Sequence, residues 1–260
     1  MKIEASWYDD GVKKIRARIA SYLPQQVRKN IRAFVNSFLP GETIEKSKVK
    51  WNKLAEENAR YFVMTDYGES ISEEKFRESG KKDYTELIER DALLKQLLQP
   101  FSEKEVLEIG CGIGRITEFL GKHFKQVAGI DISEEMIRKG KERLGQADTV
   151  TLTATDGRSY PFGNGRFDFV FSFIVFQHMP DKATIAKNIA EIDRVLKIGG
   201  VAKIQLRGLP TSKKNWFYGP SFSLDEAREL LKGTALHIVG TEGEEQRYFW
   251  LWLTKKDLAR

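Results

Sequence analysis

The hydrophobic pattern changes its period near residue 100, and this change predicts two structural regions. Before it, apolar residues recur every three to four positions, which is the spacing of amphipathic helices. The stretches that show this spacing are residues 12–38, Val49–Met64 and Tyr84–Leu98. We therefore predict an N-terminal helical extension, acting as a lid, over residues 1–100 and a second domain over residues 101–260.

After residue 104, short runs of β-branched and aromatic residues alternate with helical stretches, a pattern typical of a parallel sheet with helices on both faces. The predicted strands are Val106–Ile109, Gln126–Ile130, Val150–Ala154, Phe167–Phe173, Val201–Leu206, Ala235–Val239 and Arg247–Thr254. The predicted helices are Arg115–His123, Ser133–Leu144, Lys182–Leu196 and Leu224–Leu231. Only a short turn separates the last two strands, so they should pair in an antiparallel hairpin. The prediction is an α/β, Rossmann-like seven-stranded sheet, mostly parallel, with that hairpin at its C-terminal end.

The positive charge of the chain is concentrated at its beginning. Residues 1–40 hold eight Lys/Arg and three Asp/Glu, or +5 of the total +6, so the rest of the chain is almost neutral. Three interpretations of the basic, amphipathic residues 12–38 stay open. They pack on the following domain, lie on an anionic membrane surface, or contact nucleic acid, in decreasing order of preference. We expect cofactor binding not to depend on residues 1–40.

Several classes of protein are disfavoured by composition. Cys111 is the single cysteine, which excludes an internal disulfide and a cysteine-based zinc site. The sequence has no secretory signal, no apolar run of the roughly 20 residues that span a bilayer, and no cluster with metal-ligand spacing. We expect a cytoplasmic protein without a metal, peripheral at the membrane if residues 12–38 bind lipid.

The main chemical signal is the stretch Val106–Arg115, VLEIGCGIGR, in which a predicted buried strand runs into three glycines and a helix follows. Glycines there let the backbone turn sharply and let a ligand lie against it. The first N–H groups of the helix face such a ligand. Asp131 ends the next strand and is placed to accept hydrogen bonds from the two hydroxyls of a ribose. Because Asp131 lies at a strand end, we expect its replacement to weaken binding with little effect on folding.

VLEIGCGIGR followed by GIDIS resembles the opening of the class I S-adenosylmethionine-dependent methyltransferases, in particular the branch that methylates small molecules. TATDGRSYPFGNGRFDFVFSF, FQHMPD and DRVLKIGG resemble later parts of that family, so the likeness spans about residues 100–207. It implies S-adenosylmethionine as cofactor, with Glu108 facing its methionine amino group and Asp156 its adenine. The other predicted cofactor-binding residues are Gly110, Cys111, Gly112, Gly114, Arg115, Asp131, Ile132, Met136, Gly157, Phe173, Gln177 and Tyr61.

His178 is the candidate general base, because it follows a predicted strand at the carboxyl end where the cofactor crevice of such a sheet lies. A base is needed only if the acceptor must lose a proton, and the alternative is a histidine that holds the loop before Pro180. Two aromatic segments provide candidate substrate-binding residues, one in the lid and one after the fifth strand. These residues are Tyr67, Arg207, Trp216 and Tyr218.

The predicted function is methyl transfer to a hydroxyl or amine of a small molecule or sugar. One alternative is an RNA or protein methyltransferase that uses the basic N-terminal helices as a docking arm, and another is a binding protein with this fold and no turnover. A nicotinamide-dependent dehydrogenase is disfavoured, because it needs G-x-G-x-x-G and Arg115 stands where its third glycine belongs. The carboxylate of Glu108 would also repel a pyrophosphate.

Overall fold

The computed structural model describes residues 43–65, 68–209 and 219–257, and it confirms the seven-stranded, mostly parallel sheet. The strands of this part of the chain are β1 (Glu105–Ile109), β2 (Gln126–Asp131), β3 (Val150–Ala154), β4 (Phe167–Ser172), β5 (Leu196–Leu206), β6 (Leu236–Glu242) and β7 (Phe249–Lys255). Its helices are α1 (Ile44–Val63), α2 (Glu73–Tyr84), α3 (Ala92–Leu98), α4 (Thr117–His123), α5 (Glu134–Leu144), α6 (Lys182–Val195) and α7 (Leu224–Leu230). The predicted basic segment, residues 12–38, lies outside the described residues, as do Tyr67, Trp216 and Tyr218.

The strand order β3-β2-β1-β4-β5-β7-β6 places a topological switch point between β1 and β4. Strands β1 to β5 are parallel to one another, whereas β7 runs antiparallel to β5 and β6, as the hairpin prediction requires. The chain adds β2 and β3 on one side of β1 and then crosses back to add β4 and β5 on the other side. Such a reversal opens a crevice beyond the carboxyl ends of the two central strands.

Alternate residues of the central strands fill two separate cores, one on each face of the sheet. Val106 of β1 pairs with Phe169 of β4, and both are fully buried against α3 and α4. Leu107 pairs with Val170, and both are fully buried against α6. The central strands are therefore apolar on both faces, as in sheets covered by helices on each side.

The N-terminal region differs from the prediction in where its helices begin and end. The single predicted helix Tyr84–Leu98 is wrong, because α2 ends at Tyr84, a π-helical turn follows at Thr85–Glu89, and α3 starts at Ala92. The carboxylate of Asp91 causes the restart, since it accepts a hydrogen bond from the backbone N–H of Leu94 at 2.9 Å and so caps α3. Hydrophobic periodicity did not reveal α2 as a separate helix, because most of its residues are polar. The helix begins after Ser72, which caps it.

Helix α1 begins five residues before the predicted helix and is docked on α5 by polar contacts. The side-chain oxygen of Asn52 accepts hydrogen bonds from the hydroxyl of Ser133 at 2.8 Å and from the backbone N–H of Glu135 at 3.2 Å. Lys139 donates from Nζ to the carbonyl of Ala55 at 2.6 Å. These contacts fix α1 beside the loop that follows β2, at the open end of the crevice.

A buried ion pair joins the start of α3 to the sheet and gives a test of this packing. The ammonium of Lys203 on β5 lies 2.7 Å from the carboxylate of Asp91, and the two side chains are 4% and 7% exposed. Trp252 donates from Nε1 to the same carboxylate at 2.8 Å. Burial lowers the pKa of Lys203. Burial also acts to raise the pKa of Asp91, but the hydrogen bonds that Asp91 accepts outweigh this effect and hold its pKa below the usual value. Each charge is therefore stable only while the other is present.

We predict that Asp91→Ala lowers the free energy of unfolding by about 3 kcal/mol or more, because it leaves a buried ammonium without its partner. Urea unfolding followed by circular dichroism measures this change. The control is Glu229→Ala, whose carboxylate is 64% exposed and 2.6 Å from the ammonium of Lys232. Its expected cost is below about 1 kcal/mol. Equal losses in the two variants would show that the Asp91 pair does not hold α3 on the sheet.

Candidate functional site

A cavity opens beyond the carboxyl ends of β1 and β4, at the switch point of the sheet. Its walls come from the glycine loop after β1, the loops after β2, β3 and β4, and helix α1. Many of the residues singled out from the sequence line it, and they are Glu108, Gly110, Cys111, Gly112, Arg115, Asp131, Ile132, Met136, Gly157, Phe173 and His178. The topology thus brings together side chains from four separate loops.

Two glycines of the loop occupy positions where a larger side chain does not fit. Gly110 has φ +71°, and a Cβ there would lie 2.2 Å from Cγ2 of Val175 in the loop after β4. Gly112 has φ +54°, and a Cβ there would lie 3.0 Å from Cγ2 of Val63 in α1. A larger residue at either position would be strained and would collide with a wall of the cavity. The loop therefore fits tightly between β4 and α1.

Glu108 is a carboxylate buried at the cavity wall, with only 5% of the residue exposed. Its Oε2 accepts a hydrogen bond from the hydroxyl of Thr117, the first residue of α4, at 2.5 Å. Burial raises the pKa of Glu108 to about 7, although Thr117 and the charge of Arg115 act in the opposite direction and the charge of Asp131 adds to the rise. Near neutral pH this group gains or loses its charge easily, and a cation bound beside it would favour the charged form.

Asp131 is held by the backbone of the two loops that it joins. Its Oδ2 accepts from the N–H of Gly112 at 3.0 Å and its Oδ1 from the N–H of Ser133 at 2.8 Å. Burial raises its pKa even though these hydrogen bonds lower it. These hydrogen bonds are a reason to expect that replacing Asp131 affects folding as well as binding, because its removal leaves two backbone donors of the loops without their acceptor.

Arg115 lines the cavity, but its charge is neutralised on the side of α2. Its guanidinium lies 2.6 Å from the carboxylate of Asp83 and also donates to the hydroxyl of Ser79 at 3.3 Å. The side chain is 7% exposed. Arg115 thus ties the glycine loop to α2, a role that its position in the motif did not indicate.

Of the predicted site residues that the structure describes, five are not among those that line the cavity. They are Gly114, Asp156, Gln177, Tyr61 and Arg207. Gly114 packs against Leu144 of α5, where a Cβ would lie 2.6 Å from its Cδ1. Asp156 is exposed, and its Oδ1 accepts from the backbone N–H groups of Arg158 and Ser159, both at 2.8 Å. Its carboxylate therefore closes a turn beside the cavity.

The other three residues have contacts with neighbouring protein groups, and Nε2 of Gln177 lies 3.2 Å from Nε2 of His178. Gln177 is buried, with its Oε1 3.3 Å from Nε2 of Gln205 on β5. Arg207 is buried and donates from Nε to the carbonyl of Leu209 at 2.8 Å. Tyr61 packs edge-on against the ring of Phe62, which does line the cavity. The substrate-binding role of Arg207 and the cofactor-binding roles of Tyr61 and Gln177 stay predictions.

His178 lies at the cavity, in a short 3₁₀ turn after β4. Its ring meets the ring of Trp51 of α1 edge to face, with 5.7 Å between centroids. Ile174, four residues before His178, has φ 56°, although β-branched residues rarely adopt that conformation, and its N–H donates to Oε1 of Gln205 at 3.0 Å. Strained residues of this kind cluster at functional sites, where the surrounding structure holds them. The sequence did not reveal Ile174.

Sequence reasoning also missed most of the wall that α1 contributes. Ile44, Ser47 and Trp51 lie on its first half, and Phe62 and Val63 on its last turn. A break at Asn58 brings both parts to the same cavity, since Asn58 leaves the helical conformation and caps the second part through the N–H of Tyr61, at 3.2 Å. The aromatic residues of this helix were the available signal, and the break determined which of them face inward.

In the described part of the chain, no group of three or more His, Cys, Asp or Glu residues has an arrangement that could hold a metal ion. The helices of that part also include none that is both long and apolar enough to cross a bilayer. The thiol of Cys111 is buried, and burial raises its pKa well above the ordinary value.

Residues 106–200 match a protein-family model described as a methyltransferase domain. Over these residues the chain is similar to methyltransferase domains. The matched residues run from β1 into β5, and they include the glycine loop, Asp131 and His178. Helix α1 lies outside this match.

Curated proteins of the same kind are similar to this chain over the same region. It is 38% identical to the 2-methyl-6-phytyl-1,4-hydroquinone methyltransferase of Synechocystis over 97 residues, which are 37% of this chain and 30% of that protein. It is 34% identical to a demethylmenaquinone methyltransferase of Staphylococcus aureus over 110 residues, 41% of this chain and 44% of the other. The chain therefore spans less than half the length of these two relatives.

Among solved structures, the fold is similar to that of a phosphoethanolamine N-methyltransferase of Haemonchus contortus in complex with phosphoethanolamine and S-adenosylhomocysteine. The TM-score is 0.63 at 14% sequence identity, over 84% of this chain and 50% of that protein. This likeness confirms the predicted fold class.

We predict that Glu108→Gln stabilises the ligand-free protein increasingly as the pH rises from 5 to 8. The folded-state pKa of about 7 lies above the ordinary value of 4.5. The wild-type carboxyl group therefore contributes stability below the ordinary value and loses it as the pH rises through 7, whereas the amide does not titrate. The difference should reach about 3 kcal/mol. Urea unfolding at a series of pH values measures it, and parallel curves for the two proteins would show that Glu108 is not buried as described.

Proposed function

We propose that this chain is an S-adenosylmethionine-dependent methyltransferase that acts on an uncharged small molecule. The observation that carries the proposal is a pair of carboxylates, the buried Glu108 and the half-buried Asp131, at the ends of the adjacent strands β1 and β2. Both line one cavity beside a loop whose glycines admit close approach of a ligand. The family match over residues 106–200 supports the same activity.

The residues that line the cavity fit the methionine, ribose and base parts of this cofactor. Burial disfavours the charged form of Glu108, and a cation beside it would favour that form again. The α-ammonium of the methionine part of the cofactor is such a cation. Asp131 has oxygens with capacity to accept from two ribose hydroxyls in addition to its two backbone donors. Ile44 and Ile132 lie around Gly157 and offer an apolar surface for a base. The bound cofactor would supply the activated methyl group, and the protein would supply binding, alignment and exclusion of water.

The rest of the cavity favours an uncharged, largely apolar acceptor. Many of the side chains that line the cavity along α1 and in the loop around His178 are apolar, and these include Trp51, Phe62, Phe173, Ile174, Val175, Met179 and Pro180. Of the described residues that line the cavity, Arg115 is the only lysine or arginine, and its charge is already paired. A phosphate or carboxylate on the acceptor would therefore be desolvated without a counter-charge.

The two curated relatives support this choice, because their names specify a phytyl hydroquinone and a demethylmenaquinone as what they methylate. Such compounds combine an uncharged ring with an apolar chain. We therefore infer a ring-bearing, apolar acceptor rather than a sugar. For a hydroxyl acceptor, we propose His178 as the group that removes the proton, and the position of its ring at the cavity beside Trp51 supports this role.

We predict that the wild-type protein binds S-adenosylhomocysteine, measured by isothermal titration calorimetry, and shows no binding of NAD. Glu108→Gln should weaken S-adenosylhomocysteine binding about 10- to 100-fold at pH 8, because it removes a charged partner of the ligand ammonium. Wild-type affinity should fall as the pH drops below 7, and this dependence should vanish in the variant. Glu229→Gln, on the exposed face of α7, is the charge-matched control. NAD binding without any response to S-adenosylhomocysteine would refute the proposal.

We predict that His178→Asn lowers methyl transfer by about 100-fold or more while S-adenosylhomocysteine affinity changes less than about threefold, because a general base acts on the acceptor and not on the cofactor. The assay follows transfer of a tritiated methyl group from S-adenosylmethionine to a panel of uncharged phenols and hydroquinones. His237→Asn, at an exposed position of β6, is the matched control. If His178→Asn retains the wild-type rate on every acceptor that is methylated, this histidine is structural.

A further inference from the structure

Ser47 presents a buried hydroxyl at the wall of the cavity. The residue is 3% exposed, and among the described residues its Oγ has no hydrogen-bond partner. A buried hydroxyl without a partner is destabilising, and most buried polar groups of native proteins are paired. A ligand group in the cavity that reached this hydroxyl would supply the missing partner, so Ser47 is a candidate ligand contact.

The ordinary role of a serine within a helix does not account for this hydroxyl. Helical serines commonly donate to the carbonyl four residues earlier. In α1 the carbonyl of Thr43 accepts from the backbone N–H of Ser47 at 2.9 Å, while the Oγ of Ser47 stays unpaired among the described residues. The contrast with Ser223 is direct, because the Oγ of Ser223 accepts from the N–H of Glu226 at 3.2 Å and so caps α7.

The neighbours of Ser47 on α1 indicate which part of a ligand it would meet. Ile44, one turn earlier, lies against Gly157 after β3, where a Cβ would come within 2.9 Å of its Cδ1. Lys48, the next residue, binds Glu134 after β2 at 2.8 Å. Ser47 is therefore beside the loops after β2 and β3, which also carry Asp131. In the proposed function these loops hold the adenosine.

We propose that the hydroxyl of Ser47 forms a hydrogen bond with the adenosine part of the cofactor, so that α1 belongs to the cofactor site as well as covering it. The inference rests on the proposed function, because that function identifies the ligand. It adds a binding residue from outside the matched residues 106–200. A ligand atom would complete the hydrogen bonding of Ser47 and would hold α1 against the body of the protein.

The test compares Ser47→Ala with the control Ser223→Ala, using S-adenosylhomocysteine and adenosine as separate ligands in calorimetry at pH 8. Ser47→Ala should weaken binding of both ligands by the same factor, about 5- to 30-fold. Its thermal stability without ligand should equal or exceed that of the wild type, since no existing hydrogen bond is lost. Ser223→Ala should show the opposite pattern, with a lower melting temperature and unchanged affinity, because it removes a helix cap.

Each outcome separates this inference from the proposed function. A wild-type protein that does not bind S-adenosylhomocysteine refutes the function itself. If the wild type binds and Ser47→Ala binds both ligands within twofold of it, the inference is wrong. It is also wrong if the variant is destabilised without ligand and binds normally, or if only the KM for an acceptor changes. Glu108→Gln provides the internal check, because it should weaken S-adenosylhomocysteine and leave adenosine, which has no ammonium, unaffected.

Discussion

Two carboxylates in one cavity, the buried Glu108 and the half-buried Asp131, impose the constraint on which the rest of this site depends. Glu108 and Asp131 both lose hydration on burial, and the negative charge of Asp131 adds to the rise in the pKa of Glu108. The carboxylate of Asp131 accepts hydrogen bonds from two backbone N–H groups. The carboxylate of Glu108 accepts one from the hydroxyl of Thr117, and the nearby positive charge of Arg115 is already paired with Asp83. A cation bound in the cavity would favour the charged form of Glu108, whereas a pyrophosphate there would meet two carboxylates.

The sheet makes this arrangement unavoidable once the strand order is set. Glu108 and Gly129 are paired in register on β1 and β2, so the loops that follow the two strands leave the sheet side by side. The reversal of strand order between β1 and β4 then brings His178 to the same edge. Helix α1 closes the remaining side and is held there by Asn52, which binds the same loop that Asp131 begins.

The sequence predicted the sheet well, because a strand buried on both faces is a short, continuous run of apolar residues. The helical segments between such runs have a different hydrophobic period, so the two kinds of element are easily told apart. It predicted the helix boundaries before β1 poorly. The restart of α3 depends on Asp91, whose carboxylate binds Lys203, more than a hundred residues later in the chain. That contact forms only in the folded protein and leaves no local pattern.

The site could be predicted where it is built from a contiguous motif and not where it depends on the path of a helix. Glu108, Asp131 and the glycines stand in fixed relation to strand ends. The inward face of α1 depends on the break at Asn58, so Phe62 lines the cavity although Tyr61 was selected from the sequence. Asp156 illustrates the converse, because a carboxylate after a strand also serves to close its own turn.

A crystal structure of the protein with S-adenosylhomocysteine would test the central claim most directly. The account predicts that the ligand ammonium lies within hydrogen-bonding distance of the carboxylate of Glu108 and that both ribose hydroxyls donate to Asp131. The account would be contradicted by a ligand bound outside this cavity. It would equally be contradicted by a ligand inside it whose amino group points away from Glu108.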